Sequence, residues 1–283
     1  MYQIITKRRL HDTVTLMEVS APLVARKAQP GQFIILRIDE DGERIPLTIA
    51  DYNREKGTIT IIFQKVGATT ERLDALNEGD FIKDFVGPLG NPSEVEGKEG
   101  KKIAVIGGGL GIAIAYPQAK ALHKAGADVD IIVGFRSTSL FILTDELGDA
   151  CNNLIIMTDD GSNGHKGFVT TALEDQIKAG VKYDEVIAIG PLPMMRAVCN
   201  LTKTYGIPTI VSMNPIMIDG TGMCGGCRLT VGGVTKFACV DGPDFDGHLV
   251  DFDEAIIRSR TYKKEEAESR ERHACNLMKG AEK

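Results

Sequence analysis

Strand-like and helix-like segments alternate over the middle of the chain, and this alternation limits the fold more than any other feature. Apolar runs such as KIAVIGGG, ADVDIIVGF and YDEVIAIG have the composition of buried strands. Helical patterns cover 111–125, 168–179 and 192–205. Strands joined through helices pack as a parallel sheet with helices on both faces. We therefore predict an α/β domain with a doubly wound parallel sheet at 97–213.

The first part of the chain has a different, β-rich pattern. Short runs of strand type are separated by turn-forming dipeptides, namely Pro30-Gly31, Asp41-Gly42, Lys56-Gly57 and Glu78-Gly79. Short strands at this spacing are typical of a small all-β barrel. The pattern predicts an antiparallel β-barrel at 1–96, with one helix at 69–77 whose N-cap is Thr69 or Thr70.

Charge and hydropathy narrow the possible partners and the location. The chain has a net charge of −6 and no long basic run, which argues against a nucleic-acid partner. Its apolar runs are shorter than the roughly 20 residues that a membrane span needs. The first ten residues, MYQIITKRRL, lack the apolar core of a signal peptide. We expect a cytoplasmic protein with neither a nucleic-acid nor a membrane partner.

The strongest chemical signal is a cluster of three of the six cysteines in a glycine-rich segment. Plant-type ferredoxins bind their cluster with C-x4-C-x2-C and a distant fourth cysteine. Here the same spacing begins with an aspartate, and a carboxylate can replace a thiolate on Fe(III), which is a harder metal ion than Zn(II). The spacing predicts a small [2Fe–2S] module at 214–250 whose iron ligands are Asp219, Cys224, Cys227 and Cys239.

Two other interpretations of this segment stay open from the residues alone. The same ligands could build a structural zinc site, although the close x4 and x2 spacing favours iron and sulfur. Asp219 could also be a turn residue that lies near the metal without binding it. Cys151 and Cys199 lie in apolar or helical surroundings, which predicts buried and unreactive thiols.

A glycine-rich turn follows the first strand of the α/β domain and precedes a helix. Glycines let the backbone approach a pyrophosphate, whose charge is favoured at a helix N-terminus. The turn departs from G-x-G-x-x-G because Ile112 occupies the last position, and a plain tight turn is the alternative. Loops after two other strands reach the same sheet edge. These segments predict a nicotinamide dinucleotide site formed by Gly107, Gly108, Gly109, Gly111, Asp159, Asp160, Gly190 and Met194.

Two short motifs in the β-rich part are weaker candidates for nucleotide binding. The first contains Arg44, Pro46, Leu47 and Thr48, where Arg44 could contact a phosphate or simply lie in a solvated turn. The second, Gly67 with Thr69 and Thr70, lies at a predicted helix start that could hold an anion.

The ordered motifs RIPLT, GATT, GGGLGIA and GPLPMM resemble those of the ferredoxin–NADP reductase superfamily. The appended D-x4-C-x2-C-x11-C segment is similar to that of three electron-transfer families: dihydroorotate dehydrogenase B, NADH-dependent ferredoxin–NADP oxidoreductase and sulfide dehydrogenase. The dihydroorotate-linked group carries cysteine at the first position, so Asp219 and the MCGGCR motif favour the second family. Members of the superfamily commonly have a cysteine directly before a Gly-Pro pair. In this chain the residue before Gly190-Pro191 is Ile189.

The resemblance implies an oxidoreductase subunit with FAD, NAD(H) and a [2Fe–2S] cluster. Arg44, Pro46, Leu47 and Thr48 would flank the flavin and its phosphates. Gly67, Thr69 and Thr70 would hold the pyrophosphate, and the 107–111 turn would bind the nicotinamide dinucleotide. Hydride transfer from NADH needs alignment more than a protein acid or base, so no catalytic residue is assigned. The partner would be a larger subunit with [4Fe–4S] clusters and a bifurcating flavin. That subunit would link NADPH and ferredoxin, and it would form a heterodimer with this chain.

Several alternatives remain at this point. One is the electron-transfer subunit of dihydroorotate dehydrogenase B, and another is a zinc-stabilised nucleotide-binding regulatory protein. Arg136 at a strand end favours NADPH on physical grounds, whereas the resemblance favours NADH. The C-terminal part, 251–283, is predicted to be a helix over 251–275 and a tail. We expect this helix to dock on the partner through Ile256 and Ile257, or else on its own nicotinamide domain.

Overall fold

The computed structural model describes residues 1–271. Its first unit consists of β1 (Tyr2–His11), β2 (Val14–Ser20), α1 (Pro22–Lys27), β3 (Phe33–Arg37), β4 (Ile45–Asn53), β5 (Thr58–Gln64), α2 (Ala68–Ala75), β6 (Phe81–Ile82) and β7 (Asp84–Leu89). The antiparallel strand order is β6-β1-β2-β5-β4-β3-β7. Because only Lys83 separates the two edge strands, the sheet curls into a nearly closed barrel. Alternate side chains, such as Ile59, Ile61 and Phe63, fill its interior.

The helix after β5 starts earlier than its sequence suggests. The N-cap residue of α2 is Gly67, so the prediction of Thr69 or Thr70 as N-cap is wrong. The hydroxyl oxygen of Thr70 instead accepts hydrogen bonds from the backbone N–H groups of Val66 and Gly67, at 2.9 and 3.0 Å. Thr70 therefore closes the turn from the third helical position, as glutamate does in a capping box.

The second unit is a parallel sheet with helices on both faces, as the alternation predicts. It comprises β8 (Lys102–Gly108), α3 (Gly111–Lys124), β9 (Asp128–Phe135), α4 (Thr144–Gly148), β10 (Asn153–Thr158), α5 (Val169–Lys178), β11 (Glu185–Ile189), α6 (Leu192–Tyr205) and β12 (Thr209–Ser212). The strand order is β10-β9-β8-β11-β12. From β8 the chain adds strands first on one side, β9 and β10, and then on the other, β11 and β12. Such sheets bind ligands at this switch point, outside the carboxyl ends of the strands. The predicted fold class is confirmed.

The glycine- and cysteine-rich segment adds a hairpin and one more strand. It contains β13 (Arg228–Val231), β14 (Val234–Phe237) and β15 (Asp244–Asp246). β15 pairs antiparallel with β12, so it extends the parallel sheet by a sixth strand. Gly220 packs this segment against the barrel. Gly220 has φ +75, a backbone conformation that favours glycine, and a Cβ atom there would lie 2.7 Å from Leu89 Cδ1 and 2.8 Å from Ile35 Cδ1.

The C-terminal part is not one continuous helix. After β15, α7 (Phe252–Arg258) ends in a turn, and residues 263–271 are helical again. α7 packs on α6 and β13 through Phe252 and Ala255, while Ile257 is 72% exposed and Ile256 is half-buried. Through Phe252 and Ala255, α7 covers its own sheet domain, as the second of the two expectations has it, whereas docking of this stretch on a partner through Ile256 and Ile257 stays a prediction. Positions 272–275 of the predicted helix lie outside the described residues.

Helices long and apolar enough to cross a bilayer are absent from residues 1–271.

Candidate nucleotide cleft and thiol-rich loop

A cleft of about 1110 Å³ separates the barrel from the carboxyl edge of the parallel sheet. Clefts for a single small ligand usually measure about 300–1,000 Å³, so this one has room for more than one such ligand. The barrel wall is formed by β2 to β5 and the hairpin between β1 and β2. The opposite wall is formed by the ends of β8, β9, β11 and β12 and the loop that follows β10.

The glycine-rich turn between β8 and α3 is shaped by two close contacts. The backbone N–H of Gly109 donates to the carbonyl of Gly134 on β9 at 3.1 Å, and Gly109 has φ +56 with open space where a side chain would lie. A Cβ atom on Gly111 would lie 2.4 Å from the carbonyl oxygen of Ile189. Glycine at 111 therefore lets the start of α3 press on β11. This arrangement presents backbone and a helix N-terminus to the cleft, which suits a pyrophosphate.

Most of the predicted nucleotide residues line this cleft. On the barrel they are Pro46, Leu47 and Thr48, and on the sheet domain they are Gly108, Gly109, Gly111, Asp159, Gly190 and Met194. The apolar barrel wall also includes Ile62 and Phe33. An apolar wall with a few polar groups opposite a glycine turn fits a flavin ring facing a dinucleotide.

Six predicted residues lie outside the lining of the cleft: Arg44, Gly67, Thr69, Thr70, Gly107 and Asp160. Thr69, Thr70 and Asp160 have hydrogen-bond partners within the protein, and Gly107 has a packing role. The Thr69 hydroxyl donates to Glu43 at 2.5 Å, and Asp160 accepts a hydrogen bond from the Ser162 backbone. A Cβ atom on Gly107 would collide with Ile112 of α3, so this glycine serves strand–helix packing. Their roles in nucleotide binding stay predictions.

Sequence motifs missed several residues that line the cleft. His11, Thr13 and Gln64 come from the barrel, and Phe168, which is 68% exposed, comes from the loop before α5. Arg136, whose charge favours NADPH, also lines the cleft. The only local signal in the sequence for these residues is the glycine directly before Phe168. The barrel residues carry no such signal, because only the folding of the barrel brings them to this edge.

The predicted metal ligands form two adjoining pairs. Cys227 and Cys239 are buried, and their Sγ atoms lie 3.3 Å apart. Asp219 and Cys224 form the other pair, because the Asp219 carboxylate accepts the backbone N–H of Cys224 at 2.8 Å. The pairs adjoin through Gly222, whose N–H lies 3.2 Å from the Cys239 Sγ atom. Backbone N–H groups directed at sulfur are typical of iron–sulfur sites.

The four side chains do not converge on one point. No group of three His, Cys, Asp or Glu side chains within residues 1–271 is arranged to hold a single metal ion. A cluster of two irons needs a ligand pair for each iron instead, so the two pairs and their thiol chemistry fit a [2Fe–2S] cluster. Cys227 and Cys239 would hold the inner iron, and Cys224, which is exposed, would share the outer iron with Asp219.

Local electrostatics distinguish the thiols from the carboxylate. Burial, and then the neighbouring Cys227 thiol, raise the pKa of Cys239 to about 12. A metal ion must therefore displace the proton when it binds. The pKa of Asp219 is lowered, chiefly by the Thr221 backbone N–H, so this side chain is a carboxylate at neutral pH. Its oxygens accept three backbone N–H groups, from Thr221, Met223 and Cys224.

Two cysteines outside this loop lie within residues 1–271, and they differ in burial. Cys199 is buried at 4% exposure, and burial raises the pKa of its thiol to about 12, as expected of an unreactive thiol. Cys151 is half-buried and donates to the Leu147 carbonyl at 3.2 Å.

The cleft and the thiol-rich loop are continuous along the chain. Asn214, Pro215 and Met217 line the cleft directly after β12, and Asp219 follows two positions later. A barrel facing a doubly wound sheet across a nucleotide-sized cleft, with a thiol-rich loop beside it, defines a reductase of the flavin and iron–sulfur class.

Comparisons with known proteins agree with this class. The family described as the iron-sulfur cluster binding domain of dihydroorotate dehydrogenase B matches residues 214–251. A Thermotoga maritima protein named as a homolog of the electron transfer subunit of dihydroorotate dehydrogenase B (NAD(+)) is 45% identical, over 95% of this chain and 94% of its own. The Clostridium perfringens electron transfer subunit of the same enzyme is 31% identical, over 87% and 98%.

A solved structure described as an NADH-dependent reduced ferredoxin-NADP oxidoreductase, studied for flavin-based electron bifurcation, is also similar. It shares 43% identity and a TM-score of 0.91, over 96% of this chain and 97% of that one. The chain belongs to the family of electron transfer subunits that includes those of dihydroorotate dehydrogenase B and their homologues.

Membership of this family confirms the predicted class of function. The chain is an electron-transfer subunit with an iron–sulfur domain, and FAD, NAD(H) and a [2Fe–2S] cluster fit the family and the site described above. The alternative function, a zinc-stabilised regulatory protein, is not supported, because residues 214–251 match an iron–sulfur domain. A larger catalytic subunit is implied as the partner, since relatives are named as subunits.

Proposed function

We propose that this chain moves electrons between NAD(H), FAD in the cleft and a [2Fe–2S] cluster on Asp219, Cys224, Cys227 and Cys239. One observation carries the proposal. The segment that lines the cleft at Asn214, Pro215 and Met217 runs straight into the ligand loop. Electron transfer needs the two centres close together and fixed, and Gly220, packed on Ile35 and Leu89 of the barrel, fixes the loop beside the flavin wall.

Within the cleft the chain supplies orientation more than acid–base chemistry. FAD, when bound, accepts two electrons from NADH and releases them one at a time. Pro46, Leu47 and Thr48 would support the flavin, and the turn at Gly108, Gly109 and Gly111 would hold the nicotinamide dinucleotide. The remaining predicted contacts, at Arg44, Gly67, Thr69 and Thr70, would bind flavin phosphates outside the lining of the cleft. The apolar walls exclude water from the reacting rings.

Electrons would leave on the outer side of the cluster. Cys224 is exposed there, Met223 is 88% exposed, and Val240 packs beside the loop at 43% exposure. Exposed apolar side chains around an electron carrier are typical of a protein interface. We place the larger subunit on this surface, in a heterodimer located in the cytoplasm.

Reductive titration tests the proposal. The purified chain should show flavin and [2Fe–2S] absorption bands, and anaerobic NADH should reduce both centres without a partner. Electron paramagnetic resonance of the reduced cluster measures the transfer of electrons from the flavin to the cluster. A coloured protein whose cluster stays oxidised while NADH bleaches the flavin would contradict the connection between the two centres. A colourless protein that contains zinc would contradict the function as a whole.

Two partners are compatible with the family, and the site favours one of them. We propose a larger subunit with [4Fe–4S] clusters and a bifurcating FAD that links NADPH to ferredoxin. Asp219 at the first ligand position and the 43% identity to the NADH-dependent ferredoxin–NADP oxidoreductase support this partner. The second candidate is a dihydroorotate dehydrogenase subunit, supported by the named relatives. Affinity purification of the tagged chain from its own cells, followed by assays with NADPH and ferredoxin or with dihydroorotate, separates the two.

A further inference from the structure

His11 is the one ionisable residue that the described part of the barrel contributes to the lining of the cleft. It is the last residue of β1, at the turn into β2. The other ionisable residues of the lining, Arg136 and Asp159, belong to the sheet domain. A dinucleotide carries two negatively charged phosphates. Among the lining residues on the barrel side, His11 is the one whose ionisable side chain can donate a hydrogen bond to them.

The hydrogen bonds of the turn favour one tautomer of the neutral imidazole ring. The backbone N–H of Thr13 donates to His11 Nδ1 at 3.3 Å, and the Thr13 hydroxyl lies 3.3 Å from the same atom. A backbone N–H can only donate, so Nδ1 is the acceptor and the neutral ring carries its proton on Nε2. Within residues 1–271, Nε2 makes no hydrogen bond of its own. The ring therefore keeps a free donor.

His11 lies at the end of the cleft opposite the thiol-rich loop. β1 is tied to α4 by the pair Arg8 Nη2 to Glu146 Oε1 at 2.9 Å, and Leu10 packs in the same cluster as Leu140. The other end is formed by Met217 and Pro243 beside the ligand loop. A nicotinamide dinucleotide whose reactive ring lies near the loop end can reach His11 with its adenosine half.

We propose that the Nε2–H group of His11 donates a hydrogen bond to a phosphate or ribose oxygen of the dinucleotide bound in the cleft. The barrel then holds this ligand from one side while the glycine turn holds it from the other. The inference rests on the proposed function. Bound FAD and NAD(H) both offer such oxygens, and the experiment below separates them.

Two substitutions distinguish the role of His11 Nδ1 from the role of His11 Nε2. His11→Asn places a polar atom near Nδ1 and can keep the bond from Thr13, but it removes the donor at Nε2. His11→Gln reaches the Nε2 position with its amide and loses the bond from Thr13. Calorimetry with ADP-ribose measures the nicotinamide half of the site, and flavin content with the FAD affinity of the apoprotein measures the other half. His123→Asn, outside the lining of the cleft, is the control.

We expect His11→Asn to weaken binding of one of the two ligands about tenfold, as for a lost hydrogen bond to a charged group. His11→Gln should bind close to the wild type. The ligand that is weakened, ADP-ribose or FAD, identifies the source of the oxygen. Equal losses in both variants, or no loss in His11→Asn, would overturn the inference while the proposed function stands. A wild-type chain that binds neither ligand would instead contradict the proposed function.

Discussion

The Sγ atom of Cys227 lies 3.3 Å from the Sγ atom of Cys239, although the two residues are twelve positions apart. The β13–β14 hairpin between them brings them together, and both are buried. Cys224, the third thiol, is exposed. The site therefore has an inner pair enclosed by protein and an outer pair at the surface, and an electron leaving the cluster has a short way out on the outer side.

Replacing an inner thiol should remove the cluster and spare the flavin. In Cys239→Ser the hydroxyl keeps its proton at neutral pH and, unlike a thiolate or the Asp219 carboxylate, brings no negative charge to iron, so the [2Fe–2S] bands should disappear while FAD stays bound. Absorption and iron content measure the outcome. Cys151→Ser is the matched control, because a serine hydroxyl can keep the bond to the Leu147 carbonyl. A full cluster in Cys239→Ser would exclude this residue as a ligand.

Asp219 accepts three backbone N–H groups, and in the proposed function it would also be an iron ligand, so the two roles can be separated by substitution. Asp219→Cys should retain the cluster with an altered resonance spectrum and a shifted potential, because thiolate is softer than carboxylate. Asp219→Ala should lose the cluster or admit water to the outer iron. Asp219→Asn keeps an acceptor oxygen for the loop and serves as the control for loop structure. An unchanged spectrum and potential in Asp219→Ala would show that Asp219 is not a ligand.

The start of α3 should not tolerate a side chain at Gly111. In Gly111→Ala the new Cβ atom would lie 2.4 Å from the Ile189 carbonyl, so the helix must move away from β11. We expect a loss of stability of about 1–3 kcal/mol and weaker binding of ADP-ribose, measured by thermal unfolding and calorimetry. Gly148→Ala at the end of α4 meets no atom within 4 Å and should be neutral. Equal behaviour of the two variants would refute the close packing.

Asp244 should make stability depend on pH. Its Oδ2 atom accepts from Ser93 at 2.6 Å and from Gln118 at 3.3 Å, whereas its Oδ1 atom is buried without a hydrogen-bond partner in the described part of the chain. Burial raises the pKa of this carboxyl above 3.8. A raised pKa means that its stabilising contribution is complete below pH 3.8 and is lost as pH rises through the folded value.

Asp244→Asn removes this ionisation, and its amide can donate to the Gln118 Oε1 atom, which is also buried without a partner among residues 1–271. The variant should therefore unfold at a temperature less dependent on pH than the wild type, with its advantage growing from acid towards neutral pH. Thermal scans across that range measure it. Asp246→Asn, exposed on the same strand, controls for the lost charge. Parallel curves for wild type and Asp244→Asn would contradict the raised pKa.

The two faces of α7 should respond differently to truncation. Phe252 is 7% exposed against the sheet domain, so Phe252→Ala should cost about 3–5 kcal/mol of stability. Ile257 is 72% exposed, so Ile257→Ala should change stability by less than about 0.5 kcal/mol. Chemical denaturation measures both. If Ile257→Ala also leaves assembly with the larger subunit unchanged, α7 serves only to cover its own domain.

The order of units and the thiol-rich loop could be read from the sequence because their signals are local. The strand–helix alternation, the glycine turn before α3 and the D-x4-C-x2-C spacing each occupy a short stretch of chain. The same reasoning misplaced the N-cap of α2 by two or three residues, and it extended α7 across the turn at 259–262. Helix ends depend on individual hydrogen bonds, which periodicity does not report.

The tertiary structure alone decided which distant residues meet. Ser93, Gln118 and Asp244 come from three parts of the chain, with separations of 126 and 151 positions to Asp244. β15 joins the parallel sheet although it follows the cysteine segment, and His11 reaches the cleft only because the barrel curls. Such contacts leave no periodic trace, because each depends on how whole units pack. The sequence by itself thus determined the chemistry of the parts, and packing determined their distances and partners.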